Sequence, residues 1–578
     1  MYLQSRFNSL RSERPVNQAE SLEPHSTGRQ TLLVREISPA ASASRSADTT
    51  LKSNAQRSRT LIIACLALWL VLIFPGHPQA FEIATFLQFP IELPLIVLLL
   101  ICTPASISNS LCRLLAGLLC ALLLLRMADI GSYLAFNRRF DPLLEMHLLS
   151  DGWNLASTSV GPSQALIIVF AALCTLAAFG WGLYRCLFHI SMARAQRSSL
   201  ITFALLSVLT AILALIADRV IDQKGIFRAE IAPEFELRAT RLSKSIRDQQ
   251  EFITQLQFDS VLDEQTPGFS ALQGKDVIIM FIESYGRSYL DAERFRPASH
   301  SLLSRMEKTI NEADVQIRSG WLESPIRGGR SWLAHASLHA GLKIDSQARY
   351  DRLITSERKT IADLFEGAGW QSIGIMPAIQ FEWPESHWYS YDKLFVNDDL
   401  DFQGERFGYV TMPDQYTLSH FENNIRAKSD DAIMATMALL STHAPWTPLP
   451  RKLPWEDIGD GSVYDGSHRF GERISWKYRS QVQDMYIQSF EYTMDILADY
   501  IARYAGNSLI IILGDHQPAP IINGWGDSAD VPIHILAKDR SLLDRLPAEL
   551  WATGMIPNAT STSQPMWQFR KFLATAFE

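Results

Sequence analysis

The pattern of apolar and polar positions divides the chain into unlike parts. Residues 1–59 are polar and rich in Ser and Arg, which predicts a disordered tail. Residues 60–220 are dominated by long apolar runs, whereas residues 270–578 alternate apolar strands with polar turns, as a globular α/β domain does. Between them, residues 221–269 carry charged and apolar positions at helical spacing, which predicts a helical linker next to a membrane.

Five apolar segments lie within residues 60–220, and each approaches the ~20 residues needed to cross a hydrocarbon core. They are 60–76, 88–104, 110–132, 164–187 and 199–219. The second departs most from the pattern, because Glu92 stands near its start and prolines interrupt it. The first begins only after the long polar tail, so we interpret it as an uncleaved anchor. The sequence predicts an all-α bundle of about five transmembrane helices.

Basic residues predict the orientation of this bundle, since they favour the cytoplasmic side. The tail carries four basic residues between positions 45 and 59, and Arg194 and Arg197 precede the fifth segment. This orientation places the loop with Arg138 and Arg139 outside the cytoplasm, which conflicts with the preference of basic residues for the cytoplasmic side. An odd number of crossings places residues 221–578 outside the cytoplasm. Within the third segment, Arg126 and Asp129 predict either an interfacial pair or a contact with a lipid phosphate.

Charge and cysteine usage exclude several kinds of function for residues 221–578. The whole chain carries a net charge of −8, of which the first 220 residues contribute +5, so the remainder carries −13. Such an acidic domain is a poor candidate for binding nucleic acid, which requires Lys and Arg against phosphate. All six cysteines lie between Cys65 and Cys186, so the remainder has neither a disulfide nor a cysteine nucleophile.

Two buried strands are predicted to end in acidic or imidazole groups. The segment DVIIMFIESYG reaches Glu283, and NSLIIILGDHQPAP reaches Asp515 and His516. Open α/β sheets bind ligands at the carboxyl ends of their strands. Glu283 is there either a metal ligand or a loop cap, while adjacent Asp and His are suited to a hard metal ion.

A serine follows a glycine-rich turn in the segment SPIRGGRSWLAHASLHAG. Ser331 falls at or near the start of the predicted helix, where free N–H groups suit a phosphorylated or sulfated serine. The alternative is an ordinary N-cap. His335 and His339 share one face of this helix, and we expect packing or supporting roles for both, with His335 nearer the site.

A third apolar strand, DAIMATMALLSTHAPW, is predicted to end at Thr442 and His443. His443 either binds an anionic group or caps the loop. Polar groups that converge at several strand ends indicate one site. His534, within another apolar strand, is expected to be buried with its hydrogen bonds satisfied.

The order of these motifs resembles the sulfatase-like domains of lipoteichoic acid synthases, which belong with phosphoethanolamine transferases in the alkaline phosphatase superfamily. The resemblance covers roughly residues 270–545. It implies an α/β catalytic domain with a central mixed, mainly parallel sheet, preceded by the transmembrane bundle. It also implies a multi-pass protein of the bacterial inner membrane with a periplasmic catalytic domain.

Carried over residue by residue, the resemblance implies one divalent metal ion, Mn²⁺ with Mg²⁺ or Zn²⁺ as alternatives. Its ligands would be Glu283, Ser331, Asp515 and His516. Ser331 would be the nucleophile that forms a covalent phospho-enzyme, and His443 would bind the transferring or leaving group.

The sequence also departs from this family. In QFEWPESHW, Trp383 is present, but Glu385 stands where a base that binds glycerophosphate is expected. We therefore predict Trp383 and Arg330 as substrate-binding residues, with Arg330 or Arg327 supplying positive charge. The nucleophile is Ser rather than Thr, and the C/S-x-P-x-R motif of true sulfatases is absent.

These observations predict a transferase that moves a phosphoglycerol or phosphoethanolamine headgroup from a membrane phospholipid to an extracytoplasmic glycan or lipid. The alternative is a membrane-tethered hydrolase of sulfate or phosphate esters. A catalytically inactive domain used for assembly or sensing is a third reading, and the intact set of candidate ligands argues against it.

Overall fold

The computed structural model describes most of the chain. It covers residues 58–136, 138–142, 161–193, 204–210, 231–262, 267–407, 410–466, 478–524 and 528–578, with short pieces between 56 and 230 and at 526. The predicted tail, residues 1–59, lies outside the described residues except at its last positions. Part of the fifth predicted segment, 199–219, lies outside them too.

Two helices in the described part of the chain are long and apolar enough to cross a membrane. They are α2, Ala105–Phe136, and α3, Pro162–Met192, at the third and fourth predicted segments. Shorter apolar helices occupy Ser58–Ile73, Glu92–Cys102 (α1) and Leu200–Thr210. The 11 residues of α1 rise only about 16 Å, because its first residue is Glu92 and Pro104 follows its end. Three of the five predicted crossings therefore remain predictions.

The predicted linker is one long helix, α4, Ile231–Gln257. Its 27 residues span about 40 Å. Phe252, near its carboxyl end, is fully buried in the core of the following domain. The second half of the linker is thus packed into the α/β domain that follows.

A nine-stranded sheet forms the centre of that domain. Its strands are β1 (Asp276–Ile282), β2 (Gln316–Glu323), β3 (Gln371–Met376), β4 (Lys393–Val396), β5 (Ile433–Leu439), β6 (Ser508–Gly514), β7 (Asp530–Ala537), β8 (Ala552–Thr553) and β9 (Gln564–Pro565). The order is β8-β2-β7-β6-β1-β5-β3-β4, with β9 beside β2. Five adjacent strands, from β6 to β4, run parallel, and β7 is antiparallel to both its neighbours. The predicted mixed, mainly parallel sheet is confirmed.

Helices cover both faces of the sheet, which explains the continuous apolar runs of its central strands. One face packs against α5 (Arg296–Glu312) and α10 (Arg479–Tyr504). The other packs against α6 (Ser331–Ala340), α8 (Ile361–Gly367) and α11 (Phe569–Ala576). The remaining helices of seven residues are α7 (Gln347–Leu353) and α9 (Asp414–His420). Shorter helical turns lie at Ile83–Phe86, Arg287–Asp291, Ser386–Tyr389, Pro520–Asn523 and Arg540–Leu543.

Strand β5 ends earlier than the sequence predicted. Its last residue is Leu439 rather than Thr442. The cause is the buried carboxylate of Asp414, whose Oδ1 accepts the backbone N–H groups of Leu440 (2.7 Å) and Ser441 (3.0 Å). These bonds replace the ladder bonds of the sheet, so the chain turns away before it reaches His443.

Candidate active site

The carboxyl ends of three neighbouring parallel strands meet at one edge of the sheet. Strand β1 lies between β5 and β6, and Ile282 pairs with both Leu439 and Gly514. Glu283 and Asp515 therefore follow paired positions of adjacent strands. The sequence motifs that end these strands are brought together as the parallel sheet requires.

The turn after β1 is fixed by close packing. Ser284 has a positive φ of 60°, and its carbonyl accepts the hydroxyl of Tyr486 at 2.9 Å. On the neighbouring strand, a Cβ at Gly514 would overlap the backbone carbonyl oxygen of Tyr285. Only glycine permits this approach, which sets the distance between the two strand ends.

Ser331 is the first residue of α6, and its side chain points at the two strand ends. Its hydroxyl donates to Glu283 Oε2 at 2.9 Å and lies 3.1 Å from His516 Nε2. The N-cap is Arg330, in a left-handed conformation with φ 59° after Gly329 with φ 60°. Ser331 is thus not the N-cap of its helix, and its hydroxyl is directed into the acidic cluster.

Hydrogen bonds orient the two residues that follow β6. Asp515 Oδ1 accepts the N–H groups of Ser284 (2.8 Å) and His516 (2.7 Å), while Oδ2 lies 3.6 Å from His516 Nε2. His516 Nδ1 lies 2.8 Å from the carbonyl of Gln517. This contact orients the ring so that Nε2 lies 3.4 Å from Glu283 Oε1 and 3.1 Å from the hydroxyl of Ser331.

The site opens on the side of Glu283 and Ser331. The side chains of Asp515 and His516 are 1% and 2% exposed, whereas that of Glu283 is 12% exposed. Ser331 is half-buried. A substrate therefore approaches over the serine and the glutamate, with the other two groups behind them.

Mutual electrostatics perturb the acidic cluster strongly. Burial and then the neighbouring Glu283 raise the pKa of Asp515 to about 7. Burial would lower the pKa of His516, but Asp515 and Glu283 outweigh it and raise that pKa to about 9. Burial opposes ionisation of Glu283 as well, yet His516 and His443 hold its pKa well below the usual range. Two crowded carboxylates beside one imidazole favour a bound cation or proton.

The same residues fit a divalent metal ion. Glu283, Asp515 and His516 each offer one ligand atom, and these atoms lie within 4.8 Å of one another. The hydroxyl of Ser331 adjoins them as a fourth oxygen. Hard carboxylate and hydroxyl oxygens with one imidazole suit Mn²⁺, Mg²⁺ or Zn²⁺.

The three predicted substrate-binding residues are placed differently. Arg330 is buried immediately before Ser331, and the charge of His443 acts on Glu283. The ring of Trp383 packs against that of Tyr389 at 5.2 Å. In the described part of the chain, the contacts of Trp383 are with residues other than the four candidate ligands, and its role stays a prediction.

The other predicted histidines are packing residues. His335 stacks on Phe281 with 3.8 Å between ring centroids, and burial lowers its pKa to about 4. His339 is fully buried, which lowers its pKa to about 3. His534 is bonded by the hydroxyls of Tyr285 (3.1 Å) and Ser319 (2.7 Å), which confirms the expected buried, satisfied histidine.

Sequence reasoning missed two residues that shape the site. Thr442 donates its hydroxyl to the carbonyl of Glu283 at 2.7 Å and so joins the ends of β5 and β1. Asp414 ends β5, as described above. Thr442 precedes His443 in the same motif, and this position could have indicated a role in the site. The sequence around Asp414 carries no comparable signal.

Comparison with known proteins gave matches among solved structures alone, since no protein-family model and no curated protein matches the chain. They include a protein in the alkaline phosphatase superfamily from Vibrio parahaemolyticus, with 15% identity and a TM-score of 0.33 over 51% of this chain and 69% of that chain.

Two further matching structures are of a synthase and of a transferase. The lipoteichoic acid synthase LtaP from Listeria monocytogenes shows 13% identity and a TM-score of 0.32, over 47% of this chain and 67% of that chain. The integral membrane lipooligosaccharide phosphoethanolamine transferase A, EptA, from Neisseria meningitidis shows 11% identity and a TM-score of 0.38, over 86% and 88%. At such low identities and TM-scores, the similarity says nothing about the reaction or the substrate of this chain.

Proposed function

We propose that the chain is a membrane-anchored, metal-dependent phosphotransferase of the bacterial inner membrane. It moves a phospho-alcohol headgroup, phosphoglycerol or phosphoethanolamine, from a phospholipid to an extracytoplasmic glycan or lipid. The reaction passes through a phosphodiester on Ser331. The observation that carries this proposal is the Ser331 hydroxyl at hydrogen-bonding distance from both Glu283 and His516, on the open side of the cluster.

The chain's own residues prepare the serine for attack. A serine hydroxyl is a poor nucleophile at neutral pH and needs an activating group. Glu283 Oε2 already accepts the hydroxyl proton, so it can take that proton as the oxygen attacks. A divalent ion held by Glu283, Asp515 and His516 would lower the pKa of the hydroxyl and offset negative charge on the transferring group.

The proposed reaction consists of two successive displacements at the phosphorus atom. The Ser331 oxygen forms a bond to the phosphorus of the lipid, and the bond from phosphorus to the diacylglycerol oxygen breaks; that alcohol leaves with a proton. A hydroxyl of the acceptor next attacks the phosphorus, the bond to Ser331 breaks, and the serine is reprotonated. Free backbone N–H groups at the start of α6 favour the anionic adduct between the two steps.

Mass spectrometry of the purified full chain tests the proposal. After incubation with vesicles of phosphatidylethanolamine and phosphatidylglycerol, we expect a headgroup phosphodiester on the peptide that contains Ser331. Ser331→Ala serves as the matched control. Lipid consumption without any modification of that peptide would contradict the nucleophile. An adduct whose decay in water is not accelerated by any glycan or lipid acceptor would favour the hydrolase instead.

A further inference from the structure

The linker helix α4 is tied to the membrane bundle at its amino end. Glu92, in the first turn of α1, accepts the N–H of Ile231 at 2.7 Å. About two helical turns further on, Arg238 donates to Asp129 of α2 at 2.7 Å and to Glu234 at 2.7 Å. Arg139 adds contacts to Glu234 at 3.1 Å and to Asp129 at 3.7 Å. We call Asp129, Arg139, Glu234 and Arg238 the junction cluster.

The side chains of the junction cluster are largely buried and paired with one another, which holds them in one geometry. The side chain of Asp129 is completely buried, and those of its three partners are at most 18% exposed. Buried and hydrogen-bonded ion pairs hold a fixed geometry, unlike exposed ones. Arg126, on the preceding turn of α2, donates to the carbonyls of Leu72 and Phe74. Both members of the pair singled out in the sequence are thus engaged within the protein, and a contact with a lipid phosphate stays a prediction.

The other end of α4 is tied to the helix that bears the nucleophile. Asp248 pairs with Arg349 of α7, and Phe258, just past the helix, accepts a bond from Arg358. Arg358 also donates to the carbonyl of Ala340, the last residue of α6, at 2.8 Å. Ser331 is the first residue of the same helix.

The catalytic edge of the sheet lies on the side of the membrane bundle. The segment Pro520–Asn523 follows the site residue His516 by a few positions, and it contacts α2. Helix α4 runs along the domain from the junction cluster to the carboxyl end of α6 over about 40 Å. The segment that follows the site residues thus touches the bundle, and the end of α6 opposite Ser331 is linked through Arg358 to the end of α4.

We propose that the junction cluster is a positioning device, which holds the catalytic edge at the height of the bilayer surface so that Ser331 reaches the phosphodiester of a lipid in the membrane. Arg238 and Asp129 are its central positioning residues. The inference rests on the proposed phosphotransferase, because it concerns the delivery of that enzyme's lipid substrate. A soluble phosphodiester diffuses to the site and does not need this alignment.

Two substrates separate the two proposals. The full-length chain is assayed with vesicles of phosphatidylethanolamine and phosphatidylglycerol, and with bis(4-nitrophenyl) phosphate in solution. We expect Arg238→Gln to lower kcat/KM for the vesicle lipid by about tenfold to a hundredfold and to leave that for the soluble ester within about twofold, since small misplacements are costly when a substrate is fixed in space. Arg540→Gln is the matched control, because its pair with Asp544 is exposed (74% and 55%).

Each outcome decides between the proposals. Equal losses on both substrates, or an undiminished rate on vesicles, would overturn the positioning role while leaving the phosphotransferase intact. An unsubstituted chain that is inactive on both substrates would overturn the proposed function itself. If Arg238→Gln does not fold, Glu234→Gln replaces it with the same expected selectivity. Asp129→Asn combined with Arg238→Gln should lose little more than either alone, because the two residues act as one unit.

Discussion

The hydroxyl of Ser331 donates to the carboxylate of Glu283 at 2.9 Å, although 48 positions separate the two residues in the chain. Ser331 is the first residue of helix α6, and Glu283 directly follows strand β1. Their contact joins the proposed nucleophile to the proposed proton acceptor at the edge of the sheet where His516 also lies. The consequences of this contact are open to direct test.

Removal of the serine hydroxyl should abolish turnover and leave the fold intact. The hydrogen bond lost in Ser331→Ala contributes only about 0.5–1.5 kcal/mol to stability. Ser331→Thr should keep part of the activity, because it keeps a hydroxyl. Turnover with a phospholipid and the thermal unfolding temperature of each variant measure the two effects.

Ser337 provides the control on the same helix. Its hydroxyl is buried and bonded to the carbonyl of Leu333 and the N–H of Ile344, away from the cluster. Ser337→Ala should therefore unfold at a lower temperature and remain active. Near-normal turnover in Ser331→Ala together with inactive Ser337→Ala would show that the site is wrongly assigned.

Replacement of the candidate ligands should weaken metal binding. Asp515→Asn and Glu283→Gln each remove an anionic oxygen, and we expect the affinity for Mn²⁺ to fall by about tenfold or more, as judged from the effect of residues that support metal ligands. Calorimetric titration of the purified chain measures it. Asp392→Asn is the control, since the carboxylate of Asp392 accepts the N–H of Ser372 near the start of β3 and does not belong to the cluster. Unchanged affinity in both ligand variants would exclude these residues as ligands.

Metal affinity should rise with pH. The pKa of Asp515 is raised to about 7 and that of His516 to about 9, so both carry protons in the metal-free protein at lower pH. A metal ion must displace these protons, so the affinity should increase from about pH 6 to about pH 9 and then level off. Titrations across this range, with proton release followed in a weak buffer, measure the effect. An affinity independent of pH would mean that neither group loses a proton on binding.

Gly514→Ala should disturb the site through the turn that follows strand β1. The new methyl group would overlap the carbonyl oxygen of Tyr285 and displace the turn that carries Ser284, whose N–H holds Asp515. We expect a loss of about 1–3 kcal/mol in the free energy of unfolding, typical of an overpacked interior, together with weaker metal binding. Denaturant titration measures the first effect. Gly367→Ala is the control, because a Cβ there meets nothing within 4 Å.

Reporter fusions test the membrane orientation. If residues 221–578 face away from the cytoplasm, alkaline phosphatase fused after residue 230 should be active, and a cytoplasmic reporter at the same position should be inactive. Fusions near residue 195, in the loop with Arg194 and Arg197, should give the opposite result. The reverse pattern would remove the lipid donor from the proposed reaction.

The sequence predicted the parts of the site that lie at the ends of apolar runs. Glu283, Asp515 and His516 follow strands whose burial on both faces leaves a continuous apolar signal, and parallel strands must bring such ends together. The glycine-rich turn made Ser331 a candidate, with an ordinary N-cap as the alternative. Its N-cap alternative could not be decided, because the choice depends on where the hydroxyl points and thus on the distant Glu283.

The parts that escaped prediction depend on contacts between distant, individually ordinary residues. Asp414 reads as the start of a helix, and nothing near it shows that its carboxylate ends β5, 26 positions further on. The tie between Arg238 and Asp129 joins residues 109 positions apart. Local patterns record the burial of a segment, whereas the partner of a buried charge is fixed only by the packing of whole elements.

The carboxylate of Asp259, just beyond the linker helix, receives both terminal nitrogens of Arg570 at 2.8 and 2.9 Å and lies 3.5 Å from Arg358. The guanidinium groups of Arg570 and Arg358 are 1% and 5% exposed. A fragment that begins at residue 270 would lack Asp259 and leave Arg570 and Arg358 without their shared carboxylate. Removal of one partner from a buried ion pair lowers the free energy of unfolding by several kcal/mol. A fragment that folds without the membrane bundle therefore has to begin before Asp259, ahead of the α/β domain itself.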